Sequence, residues 1–220
     1  MASLLVQVAI YGLAAAFAAP IAAVVSALIL GESKRPVVSA WTFVAGAAFL
    51  DILFSVVVLA SGIADVSSDA SAWIDAGLGV LFLGMGILAV FSSETPEKDA
   101  ARRARADKIA SSNLSALFLA GIAVQLINID AIAVFGGALK EIATADLSTA
   151  GVVFATVFGL AIMLSVYYLP AVIFSLFPER ASAWLGRMSE WILANSRMLE
   201  IVVGIGFGIY FLVKGLAVLL

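Results

Sequence analysis

Cysteine and histidine are both absent from the 220 residues. Without thiolates or imidazoles the chain has no soft metal ligands, no thiol redox chemistry and no histidine proton relay, so any ion it handles must meet oxygen. Charge is scarce too. Asp, Glu, Lys and Arg make up 12% of the chain against 64% hydrophobic residues, where soluble domains carry about 25% charged and about 45–50% apolar residues. Neither a GxxxxGK[ST] nucleotide loop nor an HExxH pair occurs, and no nucleophile stands with a base, so no enzymatic activity, cofactor or nucleic-acid partner is expected.

What the sequence has instead is long apolar runs. Each is long enough to cross a hydrocarbon layer about 30 Å thick. Six spans are predicted, near 3–30, 37–62, 72–92, 113–139, 149–177 and 198–220, which makes the chain an all-α integral membrane protein with one membrane domain over 1–220. The opening MASLLVQVAIYGL has no basic n-region and reads as the first retained span rather than a cleaved signal. Spans one and four are long and carry helix-disturbing or polar residues, so breaks are expected there.

Ten of the twelve basic residues fall in alternate loops: Lys34 and Arg35, then Lys98, Arg102, Arg103, Arg105 and Lys108, then Arg180, Arg187 and Arg197. The intervening loops hold Asp65 and Asp69, or Lys140, Glu141 and Asp146. The positive-inside rule then puts both termini on the non-cytoplasmic side of a bacterial or archaeal plasma membrane. Residues 94–112 read as a basic cytoplasmic linker. Near 179–193, Trp184, Leu185, Met188, Trp191 and Ile192 recur at helical spacing, which predicts an amphipathic helix lying in the interface.

The two halves, 1–93 and 113–220, resemble each other. An offset of 110 places Leu50, Ser55, Val56 and Leu59 on Leu160, Ser165, Val166 and Leu169, and sets Pro20 against Asp130. An offset of 129 places Gly77, Gly79, Phe82, Leu83 and Gly86 on Gly206, Gly208, Phe211, Leu212 and Gly215. Three crossings per copy would insert the second copy upside down, giving two inverted three-helix repeats, an arrangement common in secondary transporters. Chance likeness among Leu, Gly and Val is the competing explanation.

Carboxylates are rare within spans because each costs about 2.5–3.5 kcal/mol at the bilayer centre on insertion scales. Asp51 lies mid-way along span two in FLDILF, and Asp130 lies in span four in VQLINIDAIAV with Gln125 and Asn128 beside it. Pro20, within AAAFAAPIAA, removes a backbone donor and frees a carbonyl. These five residues are the candidate substrate or proton site, against the plainer reading of a proline kink and a polar clamp between helices. With hard oxygen ligands only, Asp51 and Asp130 would also be the residues to hold a cation. Asp75 and Glu200 read as interfacial, Lys214 as snorkelling to the surface, Tyr167 and Tyr168 as an aromatic belt, and Gly204, Gly206 and Gly208 as a ridge for close helix packing or a dimer seam.

The six spans, the basic central loop, Pro20, the INIDAI break and the ending WILANSRMLEIVVGIGFGIYFLVKGL together resemble the lysine-exporter-type superfamily, and within it the mycobacterial sulfolipid- and peptidoglycolipid-addressing group. The resemblance covers the whole chain. It implies export, in a dimer, from within the lipid bilayer. The family's Asn-Pro-Lys-like break corresponds here to Asn128, Ile129 and Asp130, with a carboxylate where the family has a cation, which suits a cationic substrate, a metal ion or a coupling proton. The expected function is therefore a small secondary exporter of a small solute or cation. A divalent metal exporter and an accessory protein for lipid export are the alternatives.

Overall fold

The computed structural model describes residues 1–61, 68–91, 100, 104, 108, 109 and 112–219. Most of the linker predicted at 94–112 lies outside the described residues. Among those described, every regular element is a helix: α1 (Ala2–Ala18), α2 (Pro20–Glu32), α3 (Pro36–Ala60), α4 (Ser68–Phe91), α5 (Leu114–Ile127), α6 (Ile129–Thr144), α7 (Thr149–Met163), α8 (Ser165–Leu176), α9 (Pro178–Ala194) and α10 (Ser196–Leu219). Pro20, Pro36 and Pro178 each open a helix, where the missing N–H has no intrahelical partner to lose. Asn113 caps α5 by accepting the Ala116 N–H at 2.9 Å, and Ser148 caps α7 by accepting that of Gly151 at 3.3 Å.

Three helices, α3, α4 and α10, are long and apolar enough to cross a membrane unbroken. Three further pairs qualify when each is taken as one bent span: α1 with α2, bent by 63°, α5 with α6, by 76°, and α7 with α8, by 72°. The chain is thus membrane-embedded, with six crossings if every bent pair spans. α3 shows the solvent inversion expected in lipid: Phe49, Ile52, Leu53, Val56 and Val57 are exposed, while Asp51 and Ser55 are buried. The amphipathic segment is α9, with Ala181 and Leu185 buried against the bundle and Trp184 and Trp191 exposed.

Two departures from the sequence expectation have local causes. Span five also bends, at Leu164. There the Tyr168 hydroxyl donates to the Ala161 carbonyl at 2.9 Å, bracing the turn before the bend from the turn after it. Lys140 and Glu141, expected in a loop, lie inside α6, because the helix runs on to Thr144 although the apolar run stops at Leu139.

The buried side chains form two apolar clusters. One gathers α2, α8, α9, the first half of α3 (Ala40, Phe43, Val44, Ala47) and α5 (Leu117, Val124). The other gathers α1, α4, α6, α7 and α10, with Phe54 and Val58 from the second half of α3 packed against it. Span one passes from the second cluster to the first between Ala18 and Ala19, and span five between Met163 and Leu164. Span four crosses between Val124 and Ala131, and span two between Ala47 and Phe54. The three helix breaks, at Ala19, Asn128 and Leu164, and the carboxylate of Asp51 therefore share the layer between the two cores.

α4 and α10 pack along a glycine seam. A Cβ on Gly204 would stand 2.6 Å from the Gly86 Cα, one on Gly208 2.7 Å from the Leu83 N, and one on Gly215 2.6 Å from the Ala72 carbonyl. Residue numbers fall along α4 as they rise along α10, so the two helices are antiparallel. Gly204 and Gly208 thus serve close packing within the molecule, whereas Gly206 meets nothing within 4 Å.

Candidate functional site

Asp51 sits one turn beyond Ala47 on the inner face of α3 and is 1% exposed. Its Oδ1 accepts a hydrogen bond from Gln125 Nε2 at 2.9 Å, which ties α3 to the last turn of α5. The other end of the same amide, Gln125 Oε1, accepts from the Tyr167 hydroxyl of α8 at 2.5 Å. Gln125 is 0% and Tyr167 1% exposed, so this relay runs through dry protein. Close approach of α3 and α5 depends on two glycines: a Cβ on Gly46 would strike the Phe118 carbonyl, and one on Gly121 that of Phe43.

Asp51 Oδ2 has no hydrogen-bond partner, and neither has Asn128 Nδ2. A buried polar atom without a partner costs about 1–3 kcal/mol, more when it is charged, so an orphaned carboxylate oxygen needs an explanation. The Ser55 hydroxyl does not supply one, since it donates to the backbone carbonyl of Asp51 at 2.7 Å. Asn128 is the residue on which span four breaks, with φ −86° and ψ 53°. It lies against the Tyr167 hydroxyl, which also feels the carboxylates of Asp51 and Asp130. Asp130 is partly buried in the first turn of α6, where it complements the positive end of that helix. Pro20 begins α2 in the same layer, and its side chain lies outside the described residues.

Four of the five residues singled out in the sequence are therefore grouped around Tyr167, which the sequence assigned to an aromatic belt. Its ring packs on Phe43 at 5.6 Å between centroids, inside the core.

A second polar cluster, built from α1, α4, α6 and α10, was not anticipated. Asp75 is 3% exposed. It accepts from the Tyr11 hydroxyl, from Lys140 Nζ at 3.1 Å, and pairs with Lys214 Nζ at 3.3 Å. Glu141 pairs with Lys214 at 2.7 Å and with Lys140 at 3.3 Å, and Lys214 also lies 4.8 Å above the Tyr11 ring. Among the described residues two acids and two bases balance here, so the charges solvate one another in place of water. Asp75 and Lys214 are thus not interfacial singletons. Lys140 and Glu141 are neighbours, but Asp75 lies 65 residues from Lys140 and Glu141 73 from Lys214, with no local pattern to announce those pairs.

A family model described as Sap, sulfolipid-1-addressing protein, matches residues 9–217. The chain belongs to this family. The match takes in every element of both polar clusters, from Tyr11 to Lys214, so the sulfolipid-1-addressing family frames them both. No curated protein and no solved structure matches the chain.

Proposed function

We propose that the chain is a small secondary exporter in which Asp51 is the membrane-embedded acceptor for a coupling proton or for a donor group on a small solute or cation. One observation carries this reading. The only carboxylate oxygen among the described buried atoms without a partner lies in the layer where three helices are broken. Broken helices at the midplane expose backbone carbonyls and helix N-termini, and they are tolerated where they line a cavity or a site buried in protein. Gln125, Asn128, Asp130 and the Pro20 turn complete the proposed site. Membership of the lysine-exporter-type superfamily, a homodimeric assembly and termini on the non-cytoplasmic side belong to the same proposal.

Alternating access would use the two halves as inverted repeats, 1–93 and 113–220, joined by the linker 94–112. Two relationships support that symmetry. Gly79 abuts Leu212 while Gly208 abuts Leu83, and an offset of 129 exchanges these pairs with their residue types intact. The exchange of halves also carries α2, α3 and α5 of one apolar core onto α6, α7 and α1 of the other.

The test is flux in proteoliposomes: a proton gradient drives uptake or release of candidate amines, polyols and lipid headgroup analogues by the wild type, and Asp51→Asn abolishes the gradient dependence. Unchanged flux and unchanged pH dependence in Asp51→Asn removes Asp51 from the mechanism. A second reading, an accessory protein for a lipid-export machine, is favoured by the family's description as addressing a sulfolipid. It predicts no flux by the purified protein and co-purification with a large membrane partner.

A further inference from the structure

The Gln125 amide has both ends engaged, its Nε2 by the Asp51 carboxylate and its Oε1 by the Tyr167 hydroxyl. An amide turned the other way would set its oxygen against a carboxylate oxygen, which is repulsive, and its NH2 against the hydroxyl. The carboxylate thus decides which end of the amide faces it, Tyr167 anchors the other end in place, and the amide holds Asp51 Oδ1. What remains is a single oxygen, Oδ2.

Hard divalent cations bind differently. Calcium takes about six to eight oxygen ligands and magnesium about six. Among the described residues no group of three or more acidic side chains converges, and one of the two oxygens of Asp51 is already spoken for by Gln125.

We propose that Tyr167 is a positioning residue which, through Gln125, reserves Asp51 Oδ2 as a one-point acceptor, so that the central site takes a single hydrogen-bond donor, a proton or one N–H or O–H of a cargo molecule, and not a metal ion. This rests on Asp51 being the functional acceptor, as proposed above, and it names both the chemistry that the acceptor selects and the residue that sets it. Tyr167 touches no ligand in this scheme. Its effect reaches the site through two hydrogen bonds.

The experiment is infrared difference spectroscopy of the purified protein in lipid nanodiscs, with the Asp51 carboxyl or carboxylate bands assigned by their loss in Asp51→Asn. Tyr167→Phe keeps the ring against Phe43 and deletes only the hydroxyl. The expected result is a displaced Asp51 band in folded Tyr167→Phe, a larger displacement in Gln125→Leu, which loses the direct hydrogen bond, and no displacement in the double variant beyond that of Gln125→Leu, because Tyr167 acts only through the amide. Should Tyr167→Phe fail to fold, Gln125→Leu reads the same relay. Acidification without cargo that alters the band identifies the donor as a proton; alteration only on adding an amine or a polyol identifies it as a cargo group. An unmoved band in a folded relay variant overturns the positioning role. Saturable calorimetric binding of manganese or calcium that is lost in Asp51→Asn overturns the one-point site. A displaced band in a protein that shows no flux leaves the relay standing and overturns the exporter reading alone.

Discussion

Lys140 Nζ lies 3.1 Å from Asp75 Oδ2, joining the far end of α6 to α4 across 65 residues of sequence. Both side chains are 5% exposed. In water such a pair would contribute little, but here it stands with Tyr11, Lys214 and Glu141 in place of solvent. Lys140 is about 15 Å along α6 from Asp130, so the charge cluster and the Asp51 layer are separate structures.

Lys140→Met is expected to lower stability by less than the about 3–5 kcal/mol that stranding a buried charge costs, because Asp75 keeps Lys214 at 3.3 Å and the Tyr11 hydroxyl. Adding Asp75→Asn should restore part of the loss, since Glu141 and Lys214 are then left as a balanced pair. Thermal unfolding followed by tryptophan fluorescence in detergent checks this. A double variant that is less stable than Lys140→Met by the full cost of Asp75→Asn alone would mean that the two residues are not coupled.

The glycine seam supplies its own control. Gly204→Val and Gly208→Val should each force α4 and α10 apart and lower the unfolding temperature by several degrees, because the new Cβ would stand 2.6–2.7 Å from backbone atoms of the facing helix. Gly206→Val, with nothing within 4 Å, should be tolerated. Equal effects at all three positions would show that helix propensity, not packing, decides.

Arg197 fastens the start of α10 to the end of α4, its Nε donating to the Ala89 carbonyl at 3.0 Å and its Nη2 to that of Val90 at 2.7 Å. Those carbonyls lie in the last turn of α4, where helical partners run out. Arg197→Gln is expected to cost about 1.5–3 kcal/mol, the range for a hydrogen bond to a charged group, and to speed hydrogen exchange over residues 85–91. Lys in its place should recover little, since a single ammonium does not reproduce the two-pronged contact. Unaltered exchange at the end of α4 would dissolve the fastening.

Orientation is checked with single cysteines, for which a chain without native cysteine is suited. In intact cells a membrane-impermeant maleimide should label Ser68→Cys and not Ala104→Cys, because the basic loops belong on the cytoplasmic side. The reverse pattern would invert the topology.

The sequence disclosed what depends on neighbours along the chain. Apolar length marked the spans, the Trp and Leu spacing marked α9, and Pro20 and the INID stretch marked two of the three breaks. The bend at Leu164 escaped because Pro170, six residues on, sits inside α8 rather than at the kink. Lys140 and Glu141 were set in a loop because apolar periodicity ends at Leu139. Their burial is legible only once α4 and α10 are in place. Tyr167 was missed for a related reason: a tyrosine near a span end is indistinguishable from a belt residue until its ring is seen to turn inward toward Gln125.

The charge cluster also imposes a schedule on biosynthesis. Asp75 leaves the ribosome long before either lysine that pairs with it, and among the described residues its one partner made before α6 arrives is Tyr11. α10 follows the other described helices, and it brings Lys214 to Asp75 and Glu141 and covers the glycine face of α4. Nascent chains halted before α10 would therefore hold an acid-bearing helix without Lys214 and with its small-residue groove bare.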